Sequence, residues 1–366
     1  MAQVLFFFGA GSSAPFGIPT MQGMIPEFEK FLEREGTSDE GRLYNDVCQF
    51  LTKTLGRPID LEAVFTLIDS ILNWDIERLG VSALYHASKA LPTGKNEKVL
   101  TFIPPTEDET RVAGALRRNF ELFVQRICQI PDGQRDRIDS VFRSLFENVT
   151  RLTGQLRSGR DGRHPHHDWP MFTSNYDAIL EYYWTDLVGG VQLNTGFQYD
   201  SASKMELSTP QRLRNDGLRL FKLHGSVTWL VDERWGLTEQ RAPPRDMKRY
   251  GGEKFLGEFM LYPIADKELY MDPYMTMYQI LGDELSKAGR SIVVGYSFSD
   301  RVIRDIFVRS VKRNHRLILL HPRASEIQTR LVGLAGKTEP IDARFGSEDY
   351  ESVHSQIDRA LRKPVT

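Results

Sequence analysis

The sequence predicts an α/β protein whose mostly parallel sheet carries helices on both faces. One observation is a series of short apolar runs with the length and the glycine boundaries of buried strands. The other is that segments of helical periodicity separate these runs, and strands joined through helices pair in parallel. The predicted strands are Val4–Phe8, Met171–Phe172, Leu218–Leu223, Phe259–Tyr262, Ser291–Val294 and Arg316–Leu320, the last being the final clear strand.

A long helical segment follows the first predicted strand. Asp60 is the predicted N-cap of a helix whose apolar side chains, up to Leu72, lie on one stripe. Two more helices are predicted at 108–129 and 136–157, and the polar, proline-containing stretch 78–107 is predicted to be a loop. The whole segment is interpreted as an insertion or cap.

The chain is expected to form one domain over residues 1–366, without an internal repeat. Within it we expect the helical cap at 21–160, the remainder of the sheet at 161–330 and a helical tail at 331–366. Downstream helices are predicted at 273–288 and 300–311.

The composition excludes several classes of protein. Hydrophobic residues make up 40% of the chain and charged residues 26%, which is ordinary for a globular protein. A net charge of −2 gives no general attraction to nucleic acid or to anionic membranes. No apolar run is long enough for a transmembrane helix, and Met1–Gln3 has no basic n-region, so a cytoplasmic location is expected.

The first candidate site is the segment Gly9–Ser13, directly after the first predicted strand. Glycine lets a backbone approach a phosphate, and serine hydroxyls and helix N-terminal N–H groups donate to anions. Ala14 stands where the dinucleotide fingerprint has its third glycine, a position at which alanine is tolerated. The same residues also suit a tight strand-to-helix turn that binds nothing.

Three later strands end in similar polar turns. The turns are Thr173–Asp177, Lys222–Ser226 and Gly295–Asp300. His224 has the residue type of a general base, since histidine titrates near neutral pH. Each turn also has a structural interpretation, with Asp177 and either Ser299 or Asp300 as helix caps and His224 hydrogen-bonded at a strand end.

Taken in order, these four motifs resemble the sirtuin (Sir2) superfamily. They are most similar to its bacterial Sir2-like branch, whose members are often NAD-hydrolysing effectors of anti-phage defence. The matching positions are scattered from residue 5 to about 323. The resemblance implies a Rossmann-like sheet, with NAD⁺ as the substrate lying across the carboxyl ends of its strands.

The resemblance also implies roles for individual residues. Asn175 would hold the nicotinamide ribose and the attacking water, His224 would act as base towards a ribose hydroxyl or that water, and Asp177 would orient Asn175 or the nicotinamide end. Ser297 would help to bind the pyrophosphate from the side opposite the first turn. The nucleotide-binding residues expected in this way are Gly9, Ala10, Gly11, Ser12, Ser13, Thr173, Gly225, Gly295 and Ser297.

The sequence departs from protein-deacylating sirtuins in two places. Those enzymes carry a four-cysteine zinc module after the catalytic histidine and glycine. This chain has Ser226–Leu230 there and only two cysteines in all, Cys48 and Cys128, so no metal is expected. His321 and Arg323 stand where many relatives carry an asparagine that contacts a ribose.

The function predicted in this way is NAD⁺ hydrolysis to nicotinamide and ADP-ribose. A protein deacylase or ADP-ribosyltransferase at the same site, or a silent NAD-binding module, remain as alternatives. Control is expected from a homo-oligomer and from a separately encoded partner such as a HerA-type hexameric ATPase or an Argonaute-like protein. The apolar surface expected to support the oligomer is Phe28, Phe31, Leu32, Phe50, Leu51 and Leu55.

Other polar clusters are interpreted as solvated loops. His164–Asp168 has the residue types of a metal site but lies in a loop flanked by glycine and proline. Lys248, Arg249 and Lys254 are basic, yet the charge of the chain is balanced, so direct nucleic-acid binding is not expected.

Overall fold

The computed structural model describes most of the chain, with gaps. The described residues are 4–55, 59–72, 105–153, 157–158, 165–166, 169–189, 193–199, 205–207, 218–231, 237–239, 273–347 and 350–363. They fall into two compact units, one formed by residues 1–20, 128–261 and 268–366 and the other by 21–127 and 262–267. The predicted strand at 259–262 and most of the predicted loop at 78–107 lie outside the described residues.

The larger unit contains a seven-stranded sheet in which every neighbouring pair is parallel. In chain order its strands are β1 (Val4–Phe8), β4 (Pro170–Thr173), β5 (Leu193–Asn194), β8 (Leu218–Lys222), β11 (Arg290–Val294), β12 (Arg316–His321) and β13 (Thr338–Asp342). Their order across the sheet is β13-β12-β11-β1-β4-β8-β5. The predicted fold class, a parallel sheet with helices, is therefore confirmed.

Two small antiparallel sheets complete the strands of this unit. A two-stranded sheet pairs β2 (Arg157–Ser158) with β3 (Pro165–His166). A four-stranded sheet has the order β6-β7-β10-β9, formed by Phe197–Tyr199, Met205–Leu207, Leu237–Glu239 and Trp229–Val231 respectively. The second sheet was not predicted, because its strands are only three residues long and lack a clear apolar alternation.

Helices cover both faces of the parallel sheet. They are α5 (Arg135–Thr153), α6 (Ile179–Tyr182, continued as a π-helix over Tyr183–Val188), α7 (Tyr274–Lys287), α8 (Arg301–Ser310), α9 (Ala324–Arg330) and α10 (Tyr350–Arg362). Short 3₁₀ helices occur at Ala10–Ser12, Ala14–Phe16 and Ala335–Lys337.

The alternation of side chains along β1 divides the core into two layers. Leu5 and Phe7 lie in one apolar cluster with residues of α7, α8 and α9, such as Phe307, whose ring centroid is 5.5 Å from that of Phe7. Phe6 and Phe8 point to the other face, where the ring of Phe6 contacts Phe146 of α5 at a centroid distance of 5.2 Å. Strand β1 is consequently fully buried, as the apolar run predicts.

The second unit consists of four described helices: α1 (Met21–Glu35), α2 (Ser38–Leu55), α3 (Leu61–Leu72) and α4 (Glu107–Ile127). Its core is aromatic, and Phe28 packs against the rings of Tyr44, Phe65, Phe120 and Phe123 at centroid distances of 5.2 to 5.5 Å. Asp60 caps α3 as predicted, accepting a hydrogen bond from the Ala63 N–H at 2.9 Å.

Two expectations about element placement need correction. The predicted helical segment 21–160 is divided between the units, because α5 buries Phe142 and Phe146 on the sheet. The predicted helical tail 331–366 begins with β13, an edge strand that extends the sheet beyond β12. None of the helices in the described ranges combines the length and apolar character needed to cross a bilayer.

Candidate active site

The four motif-bearing strands are neighbours at the centre of the sheet, in the order β11-β1-β4-β8. Because all of them are parallel, the polar turns that follow them meet at the same edge, which we call the carboxyl edge. From β1 the chain continues to β4 and β8 on one side, whereas β11, β12 and β13 lie on the other. The boundary between β1 and β11 is thus a topological switch point, where open α/β sheets bind ligands.

The first turn is packed directly on the turn after β11. The N–H groups of Gly9 and Gly11 donate to Val294 O and Gly295 O, each at 2.9 Å. A Cβ on Gly9 would lie 2.7 Å from Tyr296 Cα, and one on Gly11 would lie 2.8 Å from Gly295 Cα. These glycines therefore permit close approach of two backbones, and their amides are engaged within the protein.

The serines of this turn are also engaged. The N–H groups of Ser12 and Ser13 donate to Gly9 O at 2.8 Å and Ala10 O at 3.2 Å, closing a short 3₁₀ turn. The Ser12 hydroxyl donates to Gly9 O at 2.8 Å. A phosphate at this turn would compete with these bonds.

Asn175 is fixed in the turn after β4 by its amide nitrogen. Its Nδ2 donates to Gly9 O at 3.1 Å, Ser12 Oγ at 3.2 Å and Ser13 Oγ at 2.9 Å. The residue is 8% exposed, and within the described part of the chain its Oδ1 is buried without a hydrogen-bond partner. A buried amide oxygen without a partner is costly, so Oδ1 is a ready acceptor for a ligand hydroxyl or a water.

Asp177 lies two residues further on and is held among polar groups. Its Oδ1 accepts from the Ile179 N–H at 3.1 Å. Burial raises the pKa of the Asp177 carboxyl, an effect that nearby Lys222 and a hydrogen bond from Ser13 oppose.

Lys222, the last residue of β8, bonds the backbone of the Asn175–Asp177 turn. It is 1% exposed, and its ammonium group bonds the carbonyl oxygens of Tyr176 and Asp177 and the Glu181 carboxylate, the last at 2.8 Å. An ammonium with several oxygen partners repays part of the cost of its burial. This role of Lys222 was not predicted, although a lysine at the end of a buried strand is a signal in the sequence for a buried ammonium group with oxygen partners.

His224, in the turn after β8, pairs with a carboxylate from the turn after β11. Its Nε2 lies 3.0 Å from Asp300 Oδ2, and both side chains are 6% exposed. Asp300 Oδ1 simultaneously caps α8, accepting from the N–H groups of Val302 at 2.8 Å and Ile303 at 3.3 Å. The predicted cap is present, but the contact with His224 was not predicted.

Comparison with known protein families matches the part of the chain that holds three of the four turns. Residues 170–341 match the family described as the SIR2-like domain, and they carry three of the four motif strands. This part of the chain, somewhat under half of it, is therefore similar to the Sir2-like superfamily. The match begins at β4 and ends within β13.

Solved structures were also found that are similar to this chain. One is a crystal structure of a Sir2 homologue in complex with NAD, with 15% identity, coverage of 98% of this chain and 90% of that chain, and a TM-score of 0.39. Another is a Sir2 homologue variant in complex with 2′-O-acetyl ADP ribose, with 15% identity, coverage of 100% and 95%, and a TM-score of 0.39. No curated protein matches the chain in sequence.

The remaining predicted residues of the SIR2-like site are placed around these turns. Thr173 is buried and its hydroxyl accepts from the Asn175 N–H at 3.0 Å. Gly225 and Gly295 have positive φ angles of 86° and 65°, which glycine adopts without strain. The Ser297 hydroxyl is 3.1 Å from that of Ser299 and is exposed.

Two positions at which the sequence departs from deacylating sirtuins, His321 and Arg323, lie within the described residues. His321 is the last residue of β12 and Arg323 follows it, on the β11 side of the switch point, and the Arg323 N–H donates to His321 Nδ1 at 3.0 Å. Among the residues that the structure describes, no group of three or more His, Cys, Asp or Glu side chains is arranged to hold a metal ion. His164, His167, Asp168, Lys248, Arg249 and Lys254 lie outside the described residues.

Proposed function

We propose that the chain is a NAD⁺ glycohydrolase that releases nicotinamide and ADP-ribose. The match of residues 170–341 to the SIR2-like domain supports the use of NAD⁺. The observation that carries the proposal is the hydrogen bonding of Asn175. Its amide nitrogen donates to three acceptors, whereas its buried oxygen has no donor among the described residues and can accept a bond from a ligand. His224 follows the neighbouring strand, so an acceptor and a base share one part of the carboxyl edge.

The reaction needs positioning and a base more than a strong acid. The bond between ribose C1′ and the nicotinamide nitrogen breaks with its electron pair going to nicotinamide, which leaves as a neutral molecule. Water adds to C1′ of the oxocarbenium-like ribose and gives up a proton. In this proposal Asn175 Oδ1 accepts from a ribose hydroxyl or the attacking water, and His224 takes the proton.

The sequence favours water over an acyl group as the nucleophile. The chain has two cysteines, so it cannot contain the four-cysteine module that deacylating sirtuins carry. Residues Val227, Thr228 and Trp229, directly after the catalytic turn, are buried in the sheet unit instead. Without an acyl-lysine substrate as the nucleophile, the same site would transfer ADP-ribose to water.

The test is incubation of the purified protein with NAD⁺ and chromatographic measurement of nicotinamide and ADP-ribose. We expect Asn175→Ala and His224→Ala each to lower turnover by about 10²–10⁴-fold, the usual effect of losing a positioned base or its partner. His354→Gln serves as a matched control, because His354 bonds Ser144 between α10 and α5 and follows none of the four motif strands.

Two additions to the assay separate the alternatives. A metal chelator is expected to leave nicotinamide release unchanged. An acetyl-lysine peptide is expected to have no effect, and peptide-dependent formation of O-acetyl-ADP-ribose would favour a deacylase instead. Binding of NAD⁺ without any cleavage, under every activating condition tried, would favour a silent binding module.

We further propose that this hydrolase depletes NAD⁺ as an effector of a bacterial anti-phage system. A permanently active enzyme of this kind would harm its own cell, so its activity requires control. The proposed controllers are assembly of the chain with itself and a separately encoded partner, such as a HerA-type ATPase or an Argonaute-like protein. The motifs that resemble this branch of the superfamily support the proposal.

A further inference from the structure

The contact between His224 and Asp300 joins two turns that are not neighbours in the sheet. His224 follows β8 and Asp300 follows β11, and strands β1 and β4 lie between those two strands. The contact therefore spans the switch point along the carboxyl edge. At 3.0 Å, and with both side chains 6% exposed, it is a hydrogen bond largely shielded from solvent.

The conformation of Phe298, two residues before Asp300, helps to fix the position of the Asp300 side chain. Phe298 is the non-glycine residue with positive φ, at 56°, among those the structure describes. Its ring is 3% exposed and packs against Tyr296 and Phe307 at centroid distances of 5.0 and 5.1 Å. A left-handed conformation at a bulky residue costs free energy and persists only where packing enforces it, as it does here.

The second oxygen of Asp300, Oδ1, favours the ionised carboxylate, which can only accept hydrogen bonds. Oδ1 accepts from two backbone N–H groups at the start of α8, and a helix N-terminus favours a negative charge. A carboxylate can only accept, so the hydrogen in the bond to His224 belongs to Nε2. A neutral imidazole with hydrogen on Nε2 has its lone pair on Nδ1.

We propose that Asp300 is the positioning residue for His224, holding the hydrogen on Nε2 and thereby making Nδ1 the atom that accepts the proton. The proposal rests on the proposed NAD⁺ hydrolysis for its catalytic consequence. When Nδ1 takes the proton of the attacking water or of a ribose hydroxyl, the ring becomes an imidazolium. The Asp300 carboxylate then stabilises that charge, and the proton later passes to solvent.

The decisive variant is Asp300→Asn. Asparagine caps helices as well as aspartate, so α8 keeps its cap and thermal stability should change little. The asparagine amide would donate to Nε2 and force the hydrogen of His224 onto Nδ1, which then cannot act as base. Loss of the correct tautomer predicts a fall in kcat of about 10²–10⁴-fold with KM nearly unchanged.

Asp60→Asn is the matched control. Asp60 caps α3 through the same kind of bond, to the Ala63 N–H at 2.9 Å, but lies in the helical unit. It should leave turnover unchanged. The double variant His224→Ala with Asp300→Asn should be no slower than His224→Ala alone, because both changes remove one function.

The tautomer itself is read by ¹⁵N-edited NMR of histidine rings, without any substrate. The chain has 8 histidines, and comparison with His224→Gln assigns the His224 signal. We expect the wild-type ring to carry its hydrogen on Nε2, and Asp300→Asn to move it to Nδ1. A wild-type ring with hydrogen on Nδ1, or wild-type kcat in Asp300→Asn, would overturn the proposal.

The two proposals fail in distinguishable ways. If the wild-type protein never cleaves NAD⁺ but its tautomer changes in Asp300→Asn, the positioning role of Asp300 holds and the hydrolase proposal fails. If the protein cleaves NAD⁺ and Asp300→Asn is fully active, hydrolysis stands and the positioning role is excluded. Should Asp300→Asn fail to fold, the wild-type NMR measurement still decides the tautomer.

Discussion

Gly295 is the residue at which the turn after β11 touches the turn after β1. Its φ angle of 65° suits glycine, and its N–H and C=O bond Leu320 O and the Gly11 N–H at 2.8 and 2.9 Å. A Cβ at this position would overlap the backbone of Gly11 and Ser12, which no side-chain motion can relieve. The glycine is therefore required by the packing of two backbones, whether or not a ligand binds there.

Replacing Gly295 by alanine should destabilise the sheet unit severely. Steric overlap and a strained φ act together, so we expect a loss of about 3 kcal/mol or more of unfolding free energy. Denaturant unfolding measures this. The control is Gly41→Ala in α2, where an added Cβ would meet nothing within 4 Å and alanine favours the helix. Equal stability of the two variants would show that the turns can separate.

Among single residues, those that come immediately after a buried strand could be predicted from the sequence. Asn175 and His224 were predictable as neighbours of the carboxyl edge, because each stands within a few residues of a buried apolar run. The pairing of Asp300 with His224 was not predictable, since the two residues are 76 positions apart and the capping role already explained Asp300. The engagement of the Gly9–Ser13 amides was missed because a glycine-rich turn looks the same whether it approaches a phosphate or another backbone.

Among the elements, the central strands were the easiest to predict and the edges the hardest. Strands β1 and β11 are buried on both faces, so they appear as continuous apolar runs. Strand β13 contains Glu339, Pro340 and Asp342 and lacks such a run. Among the described strands it is the last of the sheet and pairs only with β12, so it can hold a proline.

His315 ties together the starts of two of these strands. Lying just before β12, it is hydrogen-bonded through Nδ1 to Ala288 O at 2.8 Å and through Nε2 to Ser291 Oγ of β11 at 2.9 Å. Burial lowers the pKa of its imidazole to about 4, and Lys337 adds to the effect, whereas the bond to Ala288 opposes it. The ring is therefore neutral in the folded protein at neutral pH.

This histidine should make the sheet unit lose stability in mild acid. Between pH 6.5 and about 4 the unfolded chain binds a proton at His315 and the folded chain does not, so stability falls as the pH falls through that window. The full effect is on the order of 3 kcal/mol. The unfolding free energy of wild type and of His315→Gln should be measured across this range. A difference between them that stays constant with pH would contradict the prediction.

At the scale of the whole molecule, four of the six apolar residues on which an oligomer was expected are buried in the single chain, Phe50 is half-buried, and the Leu55 side chain lies outside the described residues. Phe28, Phe31, Leu32 and Leu51 are between 0% and 7% exposed in the single chain, because the helices of the smaller unit pack on one another. Helical periodicity alone cannot say whether an apolar stripe faces a neighbouring helix or a second copy. The case for assembly therefore depends mainly on the need to control a NAD⁺ hydrolase.

The remaining prediction is that the chain forms a homo-oligomer and that assembly raises its NAD⁺ turnover. If assembly completes or aligns the carboxyl edge, turnover per chain should increase with concentration and reach a plateau when the oligomer saturates. Light scattering over a concentration series, with nicotinamide release measured on the same samples, tests both parts. Each series should be repeated with a candidate partner, a HerA-type ATPase or an Argonaute-like protein.

The control for that series is His224→Ala, which should assemble like wild type yet remain inactive, because its substitution removes the base and leaves the surface intact. A monomer at micromolar concentration, with and without every candidate partner, would exclude the oligomer. If turnover per chain stays constant across the assembly transition, the oligomer forms but does not control the activity. In that case control of the activity does not depend on assembly of the chain with itself.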